Sequence, residues 1–314
     1  MNPRDATLQG VMSHVALLDG IYNEMRSGSV ELGLDRLRAT LADARRRASP
    51  EEWSALIQGA RAHPLREVLH QDPFMQRCYA RPRGYPGDPS ALDFVLRART
   101  VSSLPRDRVG QIHVLMTTGP LANALRFRRD CLARTVDDIA KNSARPLQVL
   151  AAGAGHLREI ERMRSVVEGR IARLVAYESD DACLDTIRRD YAHLPVLARQ
   201  GTVQQLVEQP LFEDMDIAYC AGLLETLGQA QAAGLVRALF RTLRPGGTLL
   251  LANFLRTLPD LGLLETFMDW RMVVRTEGEL FDLVKPLAED STAAWTYNAD
   301  PDSTIGILRL TRRG

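Results

Sequence analysis

From Pro146 onward, short apolar runs alternate with stretches of helical period, and few folds accommodate that alternation. Apolar runs at 147–152, 171–177, 195–199, 216–220 and 248–253 read as strands. Between them, 157–168, 181–191, 203–208 and 230–243 read as helices. The first would turn Leu157, Ile160, Met163 and Val167 inward. Arg244, Pro245, Gly246 and Gly247 predict a sharp turn into the fifth strand. Strands this short and apolar, joined by helical crossovers, imply a mostly parallel sheet with helices on both faces. Segments 292–297 and 304–310 predict a closing β-hairpin with a longer loop.

The preceding part reads as helical. Over 7–47, Val11, His14, Val15, Leu18, Ile21 and Tyr22 share one side, and Ser27, Gly28 and Ser29 interrupt the pattern. A helix over 30–47 would place Leu32, Leu37 and Leu41 inward and its arginines outward. Ser49, Pro50 and Glu52 predict a capping box, and Asp72-Pro73 another helix start. Segment 81–89 holds two glycines and three prolines, too many for regular helix, with Asp88 placed to cap the next helix. Helical pattern then covers 91–99 and 109–141, broken at Gly119-Pro120. The run Arg126, Phe127, Arg128, Arg129, Asp130 reads as a solvated face. After the fifth strand, Thr276 and Glu279 predict a second capping box. This organisation suggests a helical domain over 1–141 and an α/β domain over 142–314.

Forty Lys plus Arg against 39 Asp plus Glu leave a formal charge of +1, so no basic excess points to nucleic acid. Cys78, Cys131, Cys183 and Cys220 are too scattered for a metal pair or a redox motif, and no metal is expected. No apolar run reaches the roughly 20 residues of a membrane span, and the start lacks the apolar core of a signal peptide. A cytoplasmic protein without membrane insertion is expected. A face of the N-terminal helices could serve a homodimer or a domain contact, and the pattern fits both.

The strongest chemical signal is Ala151, Ala152, Gly153, Ala154, Gly155, His156 at the first crossover. Glycines there allow close approach of a ligand to backbone N–H groups, or simply a tight turn. Two later features add weight to the binding reading. Tyr177, Glu178, Ser179 and Asp180 end the second strand, where a carboxylate can accept both hydroxyl protons of a ribose. Cys220, Ala221 and Gly222 end the fourth, beside the crevice where open parallel sheets take ligands.

The order of these motifs, with Leu243-Arg244-Pro245-Gly246-Gly247 after them, resembles the class I S-adenosylmethionine-dependent methyltransferases. The likeness covers 145–311 and implies a Rossmann-like sheet ending in a reversed hairpin strand. It also implies that Ala152, Gly153, Ala154 and Gly155 lie against the methionine and ribose of S-adenosyl-L-methionine. Glu178 and Ser179 would meet the ribose, Thr202 and Val203 the adenine, and Ala221 and Gly222 the methyl-transfer cavity. Two departures stand out. The family's strand-one acid falls on Ala151, and its third loop glycine on Leu157. Glu159 could replace the acid if turned inward, or belong to a solvated surface with Arg158, Glu161 and Arg162.

A narrower likeness rests on Arg83-Gly84-Tyr85-Pro86-Gly87-Asp88, on Gly155 to Glu159, on Ala252-Asn253-Phe254 and on Met268-Asp269-Trp270-Arg271. Together these resemble a bacterial methyltransferase subfamily that includes proteins labelled 3-hydroxy fatty acid methyl ester synthases. That likeness implies a small-molecule methyl acceptor, O-methylation of a carboxylate or hydroxyl, and a lid role for the helical domain. Under such a lid Tyr85 could sit near the transferred methyl, and Arg83 and Asp88 near the cofactor. Asp88 as a plain helix cap and Arg83 as an ion-pair partner stay open beside those roles. His156 could act as a base, orient substrate, or hold its loop. Glu225 could orient substrate or lie on a helix surface. Asp269, Trp270 and Arg271 could bind an acceptor carboxylate, or form a clamp with the Trp buried and an Asp–Arg pair. Trp295 and the remaining aromatics read as core. A nucleotide-dependent oxidoreductase and a catalytically inactive binding protein are the alternatives.

Overall fold

The computed structural model describes residues 17–96, 107–289 and 293–313. The expected inward positions Val11, His14 and Val15, and the end of the helix expected over 91–99, lie outside the described residues. The chain divides into two compact units, 1–123 with 259–271, and 124–258 with 272–314.

The first unit is helical. Residues 17–26 form a helix that buries Leu18, Ile21 and Met25. Val30–Arg47 follows, with its buried stripe at Val30, Leu34, Leu37, Leu41 and Ala44. Leu32, expected inward, is 62% exposed. It stands about 200° around the helix from Leu34 at 3.6 residues per turn, so one helix face cannot hold both. The arginines are not all outward either: Arg38 is buried and donates to Asp260 at 2.8 Å. Ser49 and Glu52 form the expected capping box on Pro50–Ala62, and Asp72 caps Pro73–Ala80. Asp88 caps Pro89–Leu96, accepting from the N–H groups of Ser90 and Ala91. Arg108–Thr118 ends at Gly119, and Pro120 opens Pro120–Lys141. The excursion after the fifth strand returns the helix Leu261–Phe267 to this unit.

The second unit is built on a seven-stranded sheet. In chain order the strands are β1 (Leu147–Ala152), β2 (Ile171–Glu178), β3 (Val196–Gln200), β4 (Met215–Cys220), β5 (Leu243–Phe254), β6 (Ala293–Ala299) and β7 (Ile305–Arg312). Their spatial order is β3-β2-β1-β4-β5-β7-β6. Strands β1 to β5 pair in parallel, and β7 runs antiparallel to both β5 and β6. This is the Rossmann-like methyltransferase sheet with its reversed hairpin strand. The predicted turn at 244–247 is an irregularity within β5, whose pairing with β4 jumps from Met215–Leu243 to Ile217–Thr248. Side chains alternate between two cores, because successive strand residues face opposite ways. Val149, Ala151, Ile217 and Tyr219 enter one core, and Leu150, Ala152, Ala218 and Cys220 the other. Trp295, expected in the core, is 42% exposed on β6 and packs against Phe281 with ring centroids 4.5 Å apart. An edge strand has sheet on one side only, which leaves that ring open to solvent.

Candidate functional site

The chain runs from β1 outward through β2 to β3, then returns to place β4 on the other side of β1. The strand order therefore reverses between β1 and β4, and open parallel sheets form a ligand crevice at such a reversal, beyond the carboxyl ends of the strands.

At the end of β1, Gly153 and Gly155 have φ of 67° and 54°. A Cβ on Gly153 would lie 2.4 Å from Cγ of Leu223, so the turn after β1 packs directly on the segment after β4. The N–H groups of Gly153 and Ala154 both donate to the Tyr177 carbonyl, at 2.9 and 3.2 Å. The expected helix 157–168 does not open there. Leu157 is left-handed, with φ of 55°, which cannot begin an α-helix. A five-residue 3-10 helix, Arg158–Arg162, comes instead, then a single α-turn at Arg164–Val167. Met163 is extended between them and shifts the register, so Val166 is buried and Val167 is 81% exposed. Leu157, Ile160 and Met163 are inward as expected.

Glu178 ends β2 and ties three backbone groups together. Its Oε2 accepts from Gly155 N at 2.8 Å, and its Oε1 from Ser179 N at 2.7 Å and Asp180 N at 3.0 Å. The exposed Ser179 hydroxyl also approaches Oε1, at 3.3 Å. A carboxylate offers about four lone-pair sites, so acceptor capacity remains on Oε2. At the end of β3, the Tyr177 ring lies over Gly201, where a Cβ would meet the phenol oxygen at 2.0 Å. The Tyr177 hydroxyl donates to the Thr202 carbonyl at 2.9 Å. Thr202 caps the helix Val203–Glu208 in a capping box with Gln205, and Val203 packs on the core.

Beyond β4, Ala221 and Gly222 are half-buried. The Ala221 carbonyl accepts from Nη1 of Arg128 at 2.6 Å, and the same nitrogen lies 3.1 Å from Oε1 of Glu225. Arg128 is only 8% exposed and Arg126, Phe127, Arg129 and Asp130 are half-buried, so the solvated face expected at 126–130 is not formed. The position of Arg128 explains its burial: Leu121, Leu125, Arg128, Leu132, Val136 and Ala140 make one stripe at helical spacing. Its guanidinium also lies over the Phe254 ring, 5.7 Å from the centroid. Glu225 is 5% exposed, which rules out the helix-surface alternative. Burial pushes its carboxyl above the ordinary range, opposed by Arg128. Its Oε2 is buried without a hydrogen-bond partner. Below it, buried Arg275 fixes the backbone by donating to the carbonyls of Leu224 and Leu227 and to Asn253.

His156 is buried, with Nδ1 3.4 Å from Nη2 of Arg158. An arginine only donates, so this contact makes Nδ1 an acceptor and leaves the proton of a neutral ring on Nε2. Arg158 is itself held by Asp190 at 2.9 Å and Tyr191 at 3.0 Å. The solvated surface considered for Arg158 and Glu159 is not formed. Arg158 is buried, and Glu159 turns inward to accept from the Tyr219 hydroxyl at 2.7 Å. Tyr219 pairs with Ala151 across β1 and β4, so this phenol stands beside the position lacking the strand-one acid. Burial raises the Glu159 carboxyl above its ordinary range, against its own backbone N–H and the Tyr219 bond.

The remaining candidates belong to the helical unit. Asp88 is fully buried, and both its oxygens are engaged by Arg77 and the two capped N–H groups. Arg83 is half-buried and Tyr85 exposed. Asp269 accepts from Arg61 at 2.7 Å and from Arg81, so of the expected clamp only an Asp–Arg pairing forms, within one unit and with partners other than Arg271, and Trp270 is half-buried. Arg271 is exposed, and Trp270 packs against Gly87.

Sequence reasoning missed Arg128 and Arg275. The apolar stripe of Pro120–Lys141 contained the signal for Arg128. Arg275 makes its bonds to residues 22 to 51 positions away, and no local pattern marks it.

No family model matches the chain, and no curated protein matches it. Among solved structures, a possible exported protein from Bordetella parapertussis aligns with a TM-score of 0.59 and 15% identity. That alignment covers 85% of this chain and 99% of the other. The S-adenosylmethionine-dependent methyltransferase SibL, in its apo form, aligns with a TM-score of 0.50 and 19% identity, over 98% of this chain and 99% of its own. At such identities the likeness establishes the fold.

Proposed function

We propose that this chain is an S-adenosylmethionine-dependent methyltransferase acting on a small molecule, with a carboxylate or hydroxyl oxygen as methyl acceptor. The observation that carries the reading is the Glu178 carboxylate. It is fixed by the N–H groups of Gly155, Ser179 and Asp180 at the rim of the β1–β4 crevice, with acceptor capacity left for a ribose hydroxyl. The turn of Ala152, Gly153, Ala154 and Gly155 would meet the methionine and ribose portions, Ser179 would flank the ribose, and Thr202 and Val203 the adenine. Ala221 and Gly222 would line the cavity for the transferred group. The likeness in fold to SibL, a methyltransferase of that cofactor class, supports the assignment.

Bound S-adenosyl-L-methionine supplies an activated methyl on a sulfonium leaving group, so the chain's task is alignment. A carboxylate acceptor needs no general base. With its Nδ1 facing Arg158, His156 is better placed to donate a hydrogen bond from Nε2 than to remove a proton. We assign it to orienting the acceptor. The motif likeness to 3-hydroxy fatty acid methyl ester synthases favours a carboxylate.

One observation weighs against a nucleotide-dependent oxidoreductase. A dinucleotide pyrophosphate rests on a helix N-terminus directly after the glycine turn. Here the left-handed Leu157 and a short 3-10 helix occupy that place.

Titration calorimetry with S-adenosylmethionine, S-adenosylhomocysteine and NAD tests the reading. Binding of the first two and not the third is expected, with labelled methyl transfer into a host-cell small-molecule extract. A folded protein that ignores both sulfur nucleosides overturns it. Binding without any transfer would leave a binding protein.

A further inference from the structure

We propose that a cleft at the amino ends of the strands, opposite the β1–β4 crevice, binds the phosphate group of a small molecule. The inference stands apart from the methyltransferase reading, since the two sites share no residue. The cleft holds about 770 Å³, and its lining includes Arg145, Arg244, Thr248, Arg309 and Thr311, with the carboxylate of Asp138. Strand register puts three of these side chains on one face. Thr248 of β5 lies opposite Thr311 of β7, and Arg309 stands two residues from Thr311, so alternation turns all three the same way. Arg145 precedes β1, and Arg244 lies in β5 just before its irregularity. Both donate to the Asp216 carboxylate in β4.

Three arginines against Asp138 and Asp216 leave one positive charge. The Asp216 side chain is only 1% exposed and is shared by Arg145 and Arg244, so it has nothing left for Arg309. Among the described residues, Arg309 is exposed and makes neither a hydrogen bond nor an ion pair. Nε of Arg145 and Nη2 of Arg244 also make no hydrogen bond among them.

A second observation is independent of charge. Thr248 is 3% exposed, and among the described residues its hydroxyl makes no hydrogen bond. The unbonded hydroxyl of buried Ser165 is sealed from solvent, whereas that of Thr248 is not and borders the cleft. Threonines opposite each other on paired strands can bond to one another. The hydroxyls of Thr248 and Thr311 do not. One guanidinium fork suffices for a planar carboxylate, but donors from three segments together with two hydroxyls suit the tetrahedral oxygens of a phosphate. The volume lies in the range of organic ligand sites, with room for more than the phosphate itself.

Titration calorimetry at pH 8 with inorganic phosphate and with glycerol 3-phosphate, against chloride at equal ionic strength, tests the site. Saturable phosphate binding by the unsubstituted protein is expected. Equal or tighter binding of glycerol 3-phosphate means that the group arrives on an organic ester, and binding of phosphate alone means the free ion. Arg309→Gln removes an exposed charge without breaking a bond and should weaken phosphate binding about tenfold or more. Thr248→Val keeps the shape, loses the hydroxyl and should weaken it about two- to tenfold. Arg188→Gln, on the helix Asp181–Asp190 beside β2 and β3, should leave it unchanged. No saturable phosphate binding, or an equal loss in Arg188→Gln and Arg309→Gln, overturns the proposal. Displacement of phosphate by S-adenosylhomocysteine also overturns it, because the anion would then sit in the cofactor crevice. Phosphate binding with these losses, in a protein that ignores both sulfur nucleosides, upholds this site while the methyltransferase reading falls.

Discussion

In the helical unit, four carboxylates that tie helices together have both oxygens bonded, whereas part-exposed Glu24, paired with Arg36, leaves one oxygen unbonded. At the strand ends of the sheet unit a buried carboxylate leaves one unbonded. Glu265 takes Arg45 on one oxygen and the Trp53 indole on the other. Asp260 takes Arg38 and the Leu121 N–H, Asp72 takes His113 and the Met75 N–H, and Asp269 takes Arg61 and Arg81. Within the sheet unit the same rule holds at the amino ends of the strands, where Asp216 is shared among Arg145, Arg244 and the Gln148 N–H. Glu225, at the carboxyl ends, breaks it. The difference separates two uses of buried charge. A carboxylate bonded on both oxygens fixes chain to chain, whereas Glu225 leaves one buried oxygen without a partner.

The contrast is sharpest under deletion. Arg128→Met strands Glu225 as a lone buried charge and should lower unfolding free energy by about 3–5 kcal/mol. Adding Glu225→Met should recover most of that loss, because two apolar side chains then replace an incompletely bonded pair. Adding Asp260→Met to Arg38→Met should recover less, since the Leu121 N–H loses its acceptor. Urea unfolding of the two arginine variants and the two double variants measures this. Equal recovery in both units would erase the distinction.

A smaller loss is expected at Gly153. Alanine there must hold φ near 67° and overlap Leu223, together about 3 kcal/mol or less by the usual costs of left-handed strain and overpacking. Thermal unfolding and S-adenosylhomocysteine calorimetry should both register it. Glu178 lies between the two classes, with three N–H bonds and spare acceptor capacity. Glu178→Gln should cost about 1.5 kcal/mol in stability, the low end for a hydrogen bond to a charged group. It should weaken nucleoside binding while leaving NAD binding absent. Unchanged nucleoside affinity would place Glu178 with the purely structural carboxylates.

The parts of this picture that could be read from the sequence are those set by local period. Strand β1 and the helices Val30–Arg47 and Val203–Glu208 fall at their expected limits, and the two expected capping boxes lie at Ser49 and Thr276. The errors come from two sources. At Leu32 and Arg128, residue type and helical angle disagree: the leucine stands off the buried stripe of its helix and the arginine stands on that of its own. At 157–168 the apolar pattern was helical, yet one left-handed residue divided it, and periodicity does not report φ. The bonds of Arg275 and the inward turn of Glu159 depend on strands brought together from distant positions, so no sequence window contains them.

The least effect is expected at Glu159, where it sharpens the comparison through pH. Burial raises this carboxyl above its unfolded value. The folded state therefore holds the proton more tightly than the unfolded state, and the associated stability is fully present below the unfolded value. It is lost as pH rises through the raised folded value. Glutamine keeps a carbonyl oxygen for the Tyr219 hydroxyl and has no proton to lose. Glu159→Gln should thus gain thermal stability relative to the unsubstituted protein on going from pH 5 to pH 8. Melting curves at both pH values measure the difference. A gap that narrows toward alkaline pH would mean that Glu159 is favourably ionised in the fold.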